Sequence, residues 1–121
     1  MGISESDLKY LASISDASGE VGKKIYNQIK SIDTMALPAW GAKNMIILDK
    51  GKTQDVGDYL GGFQFDAKGI DFKGRVIIYL KPDDTYTILF GKLRGTNWNP
   101  LKKIDDVLGY NLVSAINEYV K

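Results

Sequence analysis

The stretch that decides the fold is KGRVIIYLKPDDTYTILFGKLR, Lys73 to Arg94. Arg75 to Leu80 and Tyr86 to Leu93 are rich in β-branched and aromatic residues, and the Pro82-Asp83-Asp84-Thr85 turn between them makes the run an antiparallel hairpin. Alternation along the first arm puts Val76, Ile78 and Leu80 on one face and Arg75, Ile77, Tyr79 and Lys81 on the other. In the returning arm Tyr86, Ile88, Phe90, Lys92 and Arg94 share a face, opposite Thr87, Leu89 and Leu93, and Gly91 marks a bulge or a close approach. So much apolar density on both faces makes this hairpin the centre of a sheet, with Val76, Ile78, Leu80 and Leu89 expected beneath at least one helix.

Working outward, Met45 to Leu48 is an apolar run read as a first strand, and Tyr59 to Asp66 alternates as a second. Asp49 to Asp58, polar with two glycines, reads as a mobile surface loop. After the hairpin, Asn-Trp-Asn-Pro (residues 97–100) reads as a turn and Leu101 to Ile104 as a short last strand. Before the sheet, Ser4 to Ile14 opens with Ser4 and Asp7 at capping-box spacing and carries Leu8, Leu11 and Ile14 at helical intervals. A second helix begins at Ser18 or Gly19, with Val21, Ile25, Ile29 and Ile32 as its apolar stripe. Pro38 and Gly41 break the helical period before the first strand. Asp105 or Asp106 is read as the cap of a C-terminal helix presenting Leu108, Leu112, Ala115, Ile116 and Tyr119. The expectation is one α+β domain over residues 1–121: helical at 1–34, an antiparallel four- to five-stranded sheet at 42–104 and a helix at 105–120.

Composition narrows the chemistry. The chain has no histidine and no cysteine, which removes thiolate nucleophiles, imidazole bases, disulfides and the preferred zinc ligands. What survives is carboxylate acid/base chemistry, Mg²⁺ on carboxylates, a Lys or Tyr base, or binding without turnover. The net charge is only +1, but between Lys68 and Lys103 eight basic residues (Lys68, Lys73, Arg75, Lys81, Lys92, Arg94, Lys102, Lys103) stand against three acidic ones (Asp71, Asp83, Asp84). The molecule is electrically lopsided, and an anionic partner would meet this half. No run is long and apolar enough to span a membrane, and the start MGISESDLKY lacks the pattern of a signal peptide, so the expected setting is cytoplasmic.

Two acid pairs are the candidate catalytic groups, Asp83-Asp84 and Asp105-Asp106. A Mg²⁺ nuclease needs Asp/Glu-x-Lys after its first acid, whereas Asp66-Ala67-Lys68 and Asp71-Phe72-Lys73 come before Pro82-Asp83. Turn and cap roles explain both pairs better, so the expectation is no enzyme, no cofactor and no metal. Two candidate binding sites remain. Trp40-Gly41-Ala42-Lys43-Asn44 joins an aromatic, a glycine, a cation and an amide, a combination able to cradle a phosphate or a base, although Trp40 can equally fill the space between helix and sheet. The other is a basic aromatic sheet surface of Arg75, Tyr79, Lys81, Tyr86, Lys92 and Arg94 with Trp98 nearby, where rings can stack on bases and cations meet phosphates. There the competing reading is core packing under a helix, with the cations reaching out at the rim.

The segments MALPAWGAKN, GGFQF and GIDFKGRVIIYLKPDDTYTILFGKLRG, followed by an Asp-Val-x-x-x-x-Leu helix, resemble a family of small uncharacterised proteins encoded by bacteriophages and plasmids. The resemblance covers about Met35 to Val120 and is strongest at Pro82-Asp83-Asp84-Thr85-Tyr86-Thr87 and Lys92-Leu93-Arg94-Gly95. It implies a mobile-element accessory protein that binds and inhibits a host factor, defence systems included. The N-terminal helical region and the Asp49 to Asp58 segment depart from the family pattern. The partner expected is thus a host protein or an anionic ligand, nucleotide or nucleic acid, with no membrane involved.

Overall fold

A computed structural model describes residues 17–120, with side chains from Glu20 onward. The helix expected over Ser4 to Ile14 lies outside the described residues. The fold is α+β: α1 (Ala17–Ile32), a single turn α2 (Ala36–Ala39), then β1 (Lys43–Thr53), β2 (Gly57–Lys68), β3 (Lys73–Leu80), β4 (Tyr86–Arg94) and β5 (Asn97–Val107), and finally α3 (Leu112–Val120) after a 3₁₀ turn at Gly109–Asn111. Each strand pairs antiparallel with its successor, giving the five-stranded meander β1-β2-β3-β4-β5. Short connections explain that order, because hairpins need only a few residues while any other arrangement needs a crossover.

The Lys73 to Arg94 hairpin is the β3–β4 pair, with Ile78 opposite Ile88 and Val76 opposite Phe90. Its turn closes through Lys81 N to Thr85 O (2.8 Å) and Asp84 N to Lys81 O (3.0 Å). Pro82 presets the turn, Asp83 accepts hydrogen bonds from the Thr85 amide (3.0 Å) and hydroxyl (2.6 Å), and Asp84 takes the left-handed φ of 70° that completes the reversal. Those bonds from Thr85 hold the Asp83 carboxyl below the usual carboxylate range. The turn role expected for this acid pair is what the structure shows.

The helices lie on one face of the sheet. Beneath them Val76, Ile78 and Leu80 join Tyr86, Ile88, Phe90, Phe63 and Phe65, packed against Ile25 and Ile29 of α1 and Leu112 and Ile116 of α3. Val76, Ile78, Leu80 and Leu89 are all buried as expected, but Leu89 is buried on the other face. There a second cluster of Val56, Ile77, Tyr79 and Leu89 is flanked by Leu48, Tyr59 and Trp98.

What covers this second face corrects the expected Asp49 to Asp58 loop. These residues belong to a long β1–β2 hairpin, paired up to Thr53 and Gly57, whose tip reaches β5. The Trp98 indole donates to an Asp55 carboxylate oxygen (3.2 Å), Lys103 Nζ donates to the Asp55 carbonyl (3.3 Å), and Lys81 Nζ donates to the Val56 carbonyl. A strand wetted on one side tolerates Asp, Lys and Gln, which is why its composition resembles a loop.

Two further boundaries differ from the sequence reading. Residues 97–100 are strand, since the reversal is made at Gly95, with φ 62°, and Gly91 makes room for Trp98. A Cβ on Gly91 would lie 2.6 Å from the Trp98 ring and 2.6 Å from the Asn99 carbonyl, so the close approach expected there is real. Asp105 and Asp106 cap no helix. They end β5 in a bulge between its Ile104 and Val107 pairings, where Asp106 takes φ 57° and Asp105 accepts the Thr87 hydroxyl at 2.9 Å.

Candidate anion-binding groove

β2 and β4 run toward the same end of the sheet, β3 and β5 start from it, and the antiparallel register gathers charge there. Asp66 pairs with Lys43 on one side and Arg75 on the other, and Lys68 pairs with Lys73. Next to them a concavity of about 470 Å³ is lined by Asp66, Ala67, Lys73, Gly74, Arg75, Lys92, Leu93 and Arg94. Gly74 is required because β3, β4 and Phe72 converge on it: an added Cβ would lie 2.5 Å from the Gly91 carbonyl and 2.7 Å from the Phe72 ring. It also leaves room for the Lys92 stem, whose Cγ would be 3.3 Å away.

The groove's electrostatics favour anions. Four cations line it, and Asp66 is the one acid among the lining residues. That acid is already engaged, with one oxygen accepting Arg75 Nε at 3.3 Å and the other Asn44 Nδ2 at 2.8 Å. Arg75 is thereby oriented while its planar fork keeps more donors than this single contact uses. Lys73, Lys92 and Arg94 are exposed, so their long side chains can turn toward a ligand at little desolvation cost. The concavity is open to solvent, suited to electrostatic docking.

The structure distributes the sequence-predicted residues unevenly. Arg75, Lys92 and Arg94 meet in the groove. Asn44 borders it through Asp66, helped by its left-handed φ of 53°, and Lys43 is exposed at the register position beside Asp66. The rings go elsewhere. Tyr86 is buried on the helical face, whereas Tyr79 is buried on the opposite face against Tyr59, with ring centroids 4.6 Å apart. Burial, then Tyr59 and Asp55, pushes the Tyr79 hydroxyl up to about 12, and burial followed by Asp84 raises that of Tyr86. Lys81 and Trp98 hold the β1–β2 tip. The single basic aromatic face expected from alternation is therefore corrected, because cross-strand partners share a face and Tyr79 pairs with Thr87 while Leu80 pairs with Tyr86.

Trp40 is core. It is fully buried, stacked on Phe65 at 5.9 Å and 6°, and its indole donates to Asn117 Oδ1 at 2.6 Å. Gly41 makes the turn, with φ 64° against Lys68, and the cradle expected at residues 40–44 is replaced by helix-to-sheet packing. Lys73, Gly74, Leu93 and Asp66 are groove residues that the sequence reading did not select. The Lys68/Lys73 register was the available signal, since closing β2 on β3 across residues 69–72 brings Asp66 to Arg75.

Comparison with protein-family profiles, curated proteins and solved structures gave no match to this chain. Among the described residues no group of three or more acids is placed to hold a metal ion, and no helix is long and apolar enough to cross a membrane.

Proposed function

We propose that this protein acts by stoichiometric binding, docking an anionic partner in the groove at the basic end of its sheet. One observation carries the reading: Lys73, Arg75, Lys92 and Arg94 converge on one concavity whose acid is already engaged, ion-paired with Arg75 and hydrogen-bonded by Asn44. Converging like charges repel one another, and an opposite charge between them relieves that repulsion. Binding rather than turnover is supported by a chain without histidine or cysteine and by acids such as Asp83 and Asp105 that have structural partners. The resemblance to phage- and plasmid-encoded accessory proteins supplies the setting, in which the partner is a host factor to be inhibited.

A rim of exposed cations acts mainly through long-range attraction, so affinity should fall as salt rises from about 50 to 200 mM. The test is anisotropy with a fluorescein-labelled polyglutamate peptide. Lys92→Glu with Arg94→Glu should weaken binding about tenfold or more and flatten its salt dependence. Charge reversal at Lys24, on the exposed side of α1, should leave it unchanged. Equal binding by the wild type and the Lys92/Arg94 variant refutes the assignment.

A further inference from the structure

The groove carries apolar surface beside its charge. Leu93, one of its lining residues, is 46% exposed, and Ile70, on the turn that joins Lys68 of β2 to Lys73 of β3, is 88% exposed. Single exposed aliphatic residues are ordinary on protein surfaces, but here one lines the cationic groove and the other stands on the turn three residues before the groove's Lys73. The Ile70 turn is also fixed. Gly69 N donates to Phe72 O at 3.0 Å, and Asp71 N donates to Val120 O at 3.0 Å. Gly69 sits so close to the end of α3 that an added Cβ would lie 2.2 Å from the Val120 carbonyl. An aliphatic side chain held in water by an anchored backbone loses little entropy when a partner covers it, which is the property of an interface anchor.

A nucleic-acid strand asks for something else. Strands bound without sequence preference stack their bases on exposed rings interleaved with cations. None of the residues lining this groove is aromatic, and nearby Phe72 is buried against Phe90 and Tyr119.

We infer, resting on the proposed binding role, that the groove's partner is a protein segment in which acidic side chains alternate with aliphatic ones. Its carboxylates meet Lys73, Arg75, Lys92 and Arg94, and its aliphatic side chains cover Ile70 and Leu93. Three fluorescein-labelled probes of equal formal charge separate the possibilities by anisotropy at one salt concentration: an alternating Glu-Leu peptide, an all-Glu peptide and an oligo-dT strand. The wild type should bind the Glu-Leu peptide about tenfold more tightly than the all-Glu peptide, the factor expected from covering two aliphatic side chains. Ile70→Ser with Leu93→Ser, both exposed and so compatible with folding, should erase that preference, bringing the Glu-Leu peptide down to the affinity of the all-Glu peptide for the same variant. Tighter binding of oligo-dT than of the Glu-Leu peptide, or a preference that survives the serine variant, overturns the inference while the groove stands. Binding of all three probes unchanged by Lys92→Glu with Arg94→Glu overturns the groove itself, and the inference with it.

Discussion

Gly22 gives the sharpest test of how α1 sits on the sheet. It is buried in the interior of α1, where glycine normally costs about 0.5 to 1 kcal/mol relative to alanine. Helix propensity alone therefore says that Gly22→Ala stabilises the protein. Packing says the reverse. A Cβ at this position would lie 2.4 Å from Ile47 Cγ2 and 2.7 Å from the Gly62 carbonyl oxygen. The isoleucine can rotate away, but the carbonyl belongs to a β2 residue paired on both sides, to Leu48 and to Tyr79, and cannot. Restoring ordinary contact, about 3.4 Å, lifts α1 by about 0.7 Å and loosens Ile25 and Ile29 beneath it. Overpacking of this kind costs about 1 to 3 kcal/mol, so after the propensity gain a net loss of about 1 to 2 kcal/mol is expected. Urea unfolding followed by tryptophan fluorescence measures it, and each kcal/mol should lower Tm by about 4 °C. Lys24→Ala, exposed on the same helix, is the control and should change stability by less than about 0.5 kcal/mol. A Gly22→Ala protein as stable as the wild type, or more so, would refute the close helix-to-sheet contact.

Trp40→Phe removes the indole donor that Asn117 accepts and shrinks a fully buried ring, so urea unfolding should show a loss of about 2 to 3 kcal/mol. Asp84→Gly relieves a left-handed φ of 70°, and calorimetry should show a gain of up to about 1 kcal/mol with groove binding unchanged. The raised Tyr79 pKa gives a pH dependence of definite sign. The hydroxyl ionises near 10 when unfolded but only at about 12 when folded, so the folded state binds more protons between those values and stability falls as pH rises through this window. Tyr79→Phe should make that decline shallower in chemical denaturation between about pH 9 and 11.

The parts of the fold legible in the sequence are those where one physical signal dominates. The β3–β4 hairpin is announced by alternation and by Pro82-Asp83-Asp84-Thr85, because the turn is built from its own residues and needs no tertiary support. The core stripe of α1 was readable at Ile25 and Ile29, while Gly22 and Tyr26 were missed and Ile32 is 42% exposed, since the line of contact follows where the glycines of β2 let the helix approach. The inner parts of β1 and β2 were legible as strands, but the outer end of their hairpin and the N-terminal half of β5 were hidden because each leaves polar residues in water, so composition there mimics a loop. Asp105 and Asp106 misled because Asp suits a helix cap and a left-handed bulge equally, and only the pairing of Tyr86 with Val107 tells them apart. The candidate site was half legible for the same reason. Charge clustering pointed to Arg75, Lys92 and Arg94, but which face each residue takes depends on cross-strand register, and register buried Tyr79 and Tyr86 on opposite sides.

Chemical-shift mapping tests the central claim most directly, by titrating the ¹⁵N-labelled protein with the Glu-Leu peptide and following every backbone amide. The groove account predicts the largest shifts at Lys73 to Arg75 and at Lys92 to Arg94, joined by Ile70 and Asp71 on the adjoining turn, with α1 and the β1–β2 tip unmoved. Shifts concentrated instead around Lys23 and Lys24, or around Trp98 and Lys103, would contradict it.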